Sequence, residues 1–138
     1  MKIILPKLRF LAVALPLILL ISLLPSFVLS ELDWRRFTQE EFLLAQTEDR
    51  SIAVVVHAEW CSTCRAQEPA LNQVRKLPEY REFEYFRVDF DTQKDVMASL
   101  GIPVRSTILI FKGKDEVGRL VAESSYDAIK DLFSFGLD

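Results

Sequence analysis

The distribution of apolar and polar residues along the chain predicts an apolar leader followed by an α/β domain. Residues 10–29 contain no charged residue and are mostly Leu, Ile, Val, Ala and Phe. Beyond them, the runs at 52–56 and 107–111 are rich in β-branched residues and continuous rather than alternating. Continuous apolar runs of this length are typical of strands that are buried on both faces of a sheet. Segments with apolar residues at helical spacing separate these runs, and this alternation favours an α/β fold.

Capping and turn residues set the predicted boundaries of the elements. Thr38 and Glu41 have the spacing of a capping box and start the first helix. Pro69 is expected to kink the second helix, and Thr92 and Gly101 are expected to cap and stop the third. The predicted order is a helix from 38, a strand over 52–56, a helix from the cysteines to 77, a strand over 84–90, a helix over 92–100, strands over 107–111 and 116–121, and a helix over 124–133. This order predicts a mixed sheet with helices on both faces.

The leader has the layout of an export signal. Lys2, Lys7 and Arg9 precede the apolar run, and Val28 and Ser30 provide a small-residue cleavage site. A spanning helix needs roughly 20 apolar residues, so the same run would serve as an uncleaved membrane anchor. A buried helix of the fold is a third interpretation. The first two place the rest of the chain outside the cytoplasm, in the periplasm or another extracytoplasmic space, free or tethered to the inner membrane.

Composition and charge narrow the function classes. The 138 residues divide into a leader over 1–30 and one domain over 31–138. All three charged residues of the leader are basic, which leaves 14 basic and 20 acidic residues in the domain, and the whole chain has a net charge of −3. This balance argues against a general nucleic-acid binder. One histidine and two cysteines are too few to build a zinc site within the chain or a disulfide-stapled mini-domain.

The two cysteines carry the candidate chemistry. Cys61 and Cys64 have C-x-x-C spacing and follow a buried strand at the start of a helix. Residues three apart lie on one face of a helix, and the N–H groups at a helix N-terminus favour the reactive thiolate. We therefore expect Cys61 to be an exposed nucleophile and Cys64 to be the thiol that resolves the mixed disulfide. A metal or cluster shared between two copies and a structural disulfide are the alternatives.

The segment Ala58 to Cys64, followed by Pro69, resembles the active-site strand, turn and helix of the thioredoxin family. That family has Trp before the first Cys and a kinking Pro five residues after the second. Residues 88–91 and 107–113 are similar to the third and fourth core strands of that family, so the resemblance spans about residues 34–135. It implies a thioredoxin-like fold and thiol–disulfide exchange on protein substrates, as a reductant rather than an oxidant. It also implies that an external redox partner recycles the pair and that no bound cofactor is needed.

One departure from the family concerns proton transfer at the sulfurs. The family has a buried Asp six residues before the first Cys, where this chain has Val55. His57 is the candidate substitute for proton transfer, with a packed or solvent-facing imidazole as the alternative, and Glu59 is expected to face water. Trp60 is expected to shield the sulfurs and to contact partner proteins.

A second departure concerns the loop opposite the cysteines, where the family has a cis-Pro. Counting without gaps from Asp91 to Thr107 puts Ser106 at that position, and the Arg105–Ser106 bond is then expected to be trans. The alternative is a displaced loop with a cis bond before Pro103. Because a missing proline would open the sulfurs to a metal, a second function stays open: a metal-binding or partner-binding module without redox turnover.

Overall fold

A five-stranded mixed β-sheet forms the centre of the domain in the computed structural model, which describes residues 34–137. The elements are β1 (Arg35–Arg36), α1 (Gln39–Thr47), β2 (Ser51–His57), α2 (Ser62–Val74), a 3-10 helix (Pro78–Tyr80), β3 (Glu84–Asp89), α3 (Lys94–Ser99), β4 (Thr107–Lys112), β5 (Asp115–Val121) and α4 (Tyr126–Ser134). The strands lie in the order β1-β3-β2-β4-β5. Strands β1, β3 and β2 are parallel to one another, whereas β4 is antiparallel to β2 and β5 is antiparallel to β4.

Strand β2 is buried on both faces, as its continuous apolar run predicts. Its odd-numbered residues Ala53 and Val55 pack beneath α2 and α4, together with Leu71 and Phe133. Its even-numbered residues pack on the other side, in a cluster with residues of α1 and α3 that comprises Phe37, Phe42, Ala45, Ile52, Val54, Val56, Phe86, Val88, Met97, Ile102, Leu109 and Phe111. The prediction of a mixed sheet with helices on both faces is confirmed.

The start of α1 is the predicted capping box. Glu41 N–H donates to Thr38 Oγ1 at 3.3 Å, and the Thr38 hydroxyl donates to Glu41 Oε2 at 2.9 Å. The predicted cap of α3 is wrong, because Thr92 lies in a turn where its N–H donates to Asp89 Oδ1 at 2.8 Å. The helix begins two residues later, behind Gln93, whose side chain makes no capping bond. Gly101 follows the end of α3 and has a φ of 60°, the left-handed conformation that is typical of a glycine at a helix C-terminus.

Two elements of the structure are absent from the predicted order, namely β1 and the 3-10 helix. The Arg35 and Arg36 pair of β1 lies parallel to β3 at the edge of the sheet. The Arg35 guanidinium pairs with Glu84, and Arg36 Nη2 donates to Thr92 Oγ1 at 3.2 Å. The predicted leader over 1–30 lies outside the described residues. Among the helices of residues 34–137, none has the length and apolar character needed to cross a membrane.

Candidate active site

The two cysteines meet where β2 ends and α2 begins. Cys61 is the N-cap of α2, and its Sγ accepts a hydrogen bond of 3.1 Å from the Cys64 N–H. The C-x-x-C spacing puts the two Cα atoms 5.3 Å apart, and the sulfurs form a disulfide. Since helix N-terminal N–H groups favour negative charge on a neighbouring sulfur, Cys61 occupies the position that stabilises a thiolate.

Both cysteines are buried in this oxidised form. Each has a relative exposure of 2%, and they form a small cluster with Ala58 and the partly buried Phe90. The expectation of an exposed Cys61 is therefore wrong for the disulfide. Its sulfur is covered because the loop that carries Ser106 packs directly against the pair.

Ser106 lies over both sulfurs. Its Oγ is 3.2 Å from Cys61 Sγ and 3.1 Å from Cys64 Sγ. The residue is 2% exposed and has a φ of 58°. No peptide bond between residues 34 and 137 is cis, so the trans bond expected before Ser106 is confirmed and the alternative of a cis bond before Pro103 is wrong. Gapless counting thus put the correct residue opposite the cysteines.

Trp60 stands beside the disulfide with 55% of its surface exposed. Its indole Nε1 donates a hydrogen bond of 2.8 Å to Asp91 Oδ2. The ring also packs against Phe90 in a T-shaped arrangement, with centroids 5.9 Å apart, and the Arg105 guanidinium lies 4.7 Å from the Trp60 ring centroid. An aromatic ring of this size, held in a fixed orientation beside Cys61, is suited to contact a partner chain.

A family model described as Thioredoxin matches residues 33–134. The chain belongs to the thioredoxin family. A thioredoxin from Borreliella burgdorferi is 30% identical over an alignment of 91 residues that covers 63% of this chain and 77% of that protein. Thioredoxin-1 of Saccharomyces cerevisiae is 27% identical over 84 residues, which are 61% of this chain and 80% of that one. Among solved structures, Trxlp from Edwardsiella tarda has a TM-score of 0.71 at 30% identity, and the match covers 73% of this chain and 98% of that one. The predicted thioredoxin-like fold is therefore confirmed.

Family membership together with the C-x-x-C disulfide identifies this thioredoxin-family protein as a thiol–disulfide oxidoreductase. The chemistry needs two sulfurs that can alternate between a dithiol and a disulfide, and the geometry at the start of α2 provides them. Within residues 34–137, no group of three His, Cys, Asp or Glu side chains is close enough to hold a metal ion.

The structure does not bring His57 to the sulfurs. Its Nδ1 lies 3.5 Å from Glu68 Oε1, and its Nε2 lies 3.7 Å from Glu59 Oε1. Within the described residues, no hydrogen bond joins this imidazole to either cysteine. The Glu59 side chain is 98% exposed, so it faces water as expected.

Sequence reasoning missed Glu68 of α2. Its carboxylate accepts a hydrogen bond of 2.5 Å from Arg87 Nη2 on β3, and this arginine pairs in register with Val55. The Glu68 carboxylate thus links α2 to β3 through the Arg87 guanidinium. The available signal was spacing, since Glu68 is four residues after Cys64 and therefore on the same helix face.

Asp89 is the last residue of β3. Its Oδ1 accepts hydrogen bonds from Thr92 N at 2.8 Å and Asp91 N at 2.9 Å. The hydrogen bonds from Thr92 are the main cause that lowers the pKa of Asp89. The resulting turn positions Asp91 to accept the hydrogen bond from the Trp60 indole.

Proposed function

We propose that this protein reduces disulfide bonds of protein substrates outside the cytoplasm and is recycled by an external dithiol partner. The observation that carries the proposal is the Cys61–Cys64 disulfide at the N-terminus of α2, in a fold of the thioredoxin family. The reductant direction is supported by the family resemblance. Export is supported by the basic residues Lys2, Lys7 and Arg9 ahead of an uncharged apolar run.

Each cysteine has a separate role in the proposed reaction. The Cys61 thiolate attacks one sulfur of the client disulfide, which breaks that bond and releases the first client sulfur as a thiolate. The Cys64 thiol then loses its proton and attacks Cys61 Sγ, which releases the second client thiolate. The client gains two electrons, and the protein is left with the Cys61–Cys64 disulfide. A dithiol partner restores the pair by the reverse sequence of steps.

The assignment of roles is tested by trapping. In the full chain, Cys64→Ser should accumulate mixed disulfides between Cys61 and client proteins, because no second thiol resolves them. Cys61→Ser is the matched control, since its remaining Cys64 lies inside α2, away from the N-cap position that stabilises a thiolate, and should trap few clients. Equal trapping by both variants would contradict the assignment, and an absence of trapping by either would favour a binding module.

The direction of electron flow is tested by equilibrating the wild-type pair with glutathione buffers and counting free thiols. A potential near roughly −270 mV would support a reductant, and one near roughly −120 mV would make the protein an oxidant. The location is tested with the full chain by protease accessibility in intact spheroplasts. Protection of residues 34–137 from added protease would contradict export.

A further inference from the structure

The Ser106 hydroxyl is within hydrogen-bonding distance of both sulfurs. Its Oγ lies 3.2 Å from Cys61 Sγ and 3.1 Å from Cys64 Sγ. A disulfide sulfur carries no proton, so in the oxidised form the hydroxyl is the only group of these three that can donate. The nearly equal distances allow it to turn from one sulfur to the other without movement of the backbone.

The backbone holds this hydroxyl in place. Ser106 N–H donates to Val56 O at 3.1 Å, and Ser106 O accepts from Ala122 N at 2.9 Å and from Gln67 Nε2 at 3.1 Å. These bonds tie the residue to β2, to the end of β5 and to α2. Its φ of 58° is one that residues other than Gly rarely adopt, so the surrounding structure fixes an otherwise unfavourable conformation.

We propose that Ser106 is a catalytic residue whose hydroxyl stabilises the thiolate that forms at Cys61 or Cys64 when a disulfide opens. The inference deepens the proposed exchange function and rests on it. When the Cys61–Cys64 bond is attacked, its electron pair stays on the leaving sulfur, which becomes an anion in a site that is 2% exposed. Little water can solvate that anion, so a fixed donor has a large effect there.

The same hydroxyl serves both steps of the reaction. During recycling, the first thiolate of the dithiol partner attacks Cys61 Sγ and Cys64 leaves as a thiolate. The second thiolate of the partner then attacks the partner sulfur of the mixed disulfide, and Cys61 leaves as a thiolate. The rate of exchange rises as the leaving thiolate becomes more stable. A donor equidistant from both sulfurs therefore favours opening of the disulfide whichever sulfur departs.

The hydroxyl also affects the equilibrium between the two redox forms. It interacts more strongly with a thiolate than with a neutral disulfide, because hydrogen bonds to charged groups are stronger. Stabilising the reduced form raises the reduction potential. Loss of the hydroxyl should therefore shift the pair toward the disulfide and make the protein a stronger reductant.

The experiment compares three variants of the full chain in glutathione buffers. Ser106→Ala removes the hydroxyl at the same backbone conformation, and Ser106→Gly removes it while also relieving the positive φ. Thr107→Val is the matched control, because it removes a neighbouring buried hydroxyl that bonds to Val104 O at 2.8 Å and not to sulfur. Stability is measured in parallel by urea unfolding.

We expect Ser106→Ala and Ser106→Gly to shift the equilibrium about tenfold toward the disulfide, which is a potential about 30 mV more negative. We also expect the pH midpoint for alkylation of Cys61 in the reduced protein to rise by about one unit. A hydrogen bond to a charged group shifts the equilibrium between thiol and thiolate about tenfold, and both variants lose this bond. Thr107→Val should change neither value, although it destabilises the fold.

The proposal is overturned if both Ser106 variants keep the wild-type potential and alkylation midpoint and differ only in stability. The hydroxyl would then be a structural group. A positive shift in potential would also overturn it, since the hydroxyl would then favour the disulfide. Failure of the proposed function looks different, because the wild-type pair would not cycle at all, and the alkylation midpoint would still report whether Ser106 bonds the thiolate.

Discussion

The side-chain amide of Gln67 donates a hydrogen bond of 3.1 Å to the carbonyl oxygen of Ser106. The same Nε2 donates to Glu123 O at 2.8 Å, and the whole residue has 0% exposure. One buried amide of α2 therefore connects the helix that carries the cysteines with both the loop before β4 and the loop after β5. Polar groups that are buried in this way are costly to leave without partners.

Replacing Gln67 with Met should destabilise the fold by about 1–3 kcal/mol, because the variant keeps the side-chain length and loses both hydrogen bonds. Urea unfolding of the oxidised protein measures this difference. Gln73→Met on the exposed face of α2 is the control and should stay within about 0.5 kcal/mol of wild type. Equal effects of the two substitutions would mean that the buried amide contributes nothing specific.

The hydrogen bond from Trp60 to Asp91 predicts a change in activity without a matching change in stability. In Asp91→Ala the indole loses its acceptor, and we expect the catalytic efficiency toward a protein disulfide such as that of insulin to fall several-fold. Because the contact is exposed, the free energy of unfolding should change by no more than about 0.5 kcal/mol. Asp91→Asn retains a side-chain oxygen acceptor and should keep most of the activity. An Asn variant as impaired as the Ala variant would contradict this explanation.

The capping box of α1 predicts a local effect on stability. Thr38→Ala removes the acceptor of the Glu41 N–H and should lower the free energy of unfolding by about 1 kcal/mol. Thr38→Ser keeps the hydroxyl and should be close to wild type. Chemical denaturation of the three proteins tests this, and a serine variant as unstable as the alanine variant would show that the threonine methyl group, not the cap, is responsible.

Asp89 predicts a pH dependence of stability. The pKa of Asp89 is lower in the folded chain than the ordinary value of about 3.9, so its stabilising effect is present above about pH 4. The effect is lost as the pH falls through the folded pKa. Asp89→Asn cannot titrate, so the difference in unfolding free energy between wild type and variant should shrink from pH 7 to about pH 2.5. A difference that stays constant over this range would contradict the assignment.

Elements whose signal is local could be predicted from the sequence. The continuous apolar run in β2 predicts its burial on both faces. The Thr38 and Glu41 pair, a motif of only four residues, predicts the start of α1. The order of strands and helices then leaves few topologies, because crossovers between parallel strands have one hand. Counting without gaps assigned Ser106 to the loop opposite the cysteines, and it succeeded because no insertion separates the elements on either side of that loop.

Features that depend on distant contacts could not be predicted. Strand β1 consists of two exposed arginines, and only pairing with β3, about 50 residues later, makes it a strand. Thr92 looks like a helix cap in isolation. The helix begins later because the Gln93 side chain is buried, with Nε2 donating to Phe37 O at 2.9 Å and Oε1 accepting from Asp89 N at 3.0 Å.

The Ser106 contact with the sulfurs was also beyond sequence reasoning, because it depends on a positive φ that nothing local requires. The burial of Cys61 has the same origin. A helix N-terminus predicts an exposed cysteine, but the loop before β4 covers it in the folded chain.

The 138-residue sequence contains two cysteines, and both belong to the disulfide at the start of α2. A maleimide of known mass will therefore add twice to every reduced molecule and not at all to an oxidised one. Acid-quenched cell samples would separate into two bands on a gel, with no background from other thiols of the chain. The ratio of the two bands thus measures which fraction of the wild-type protein is kept reduced in its compartment.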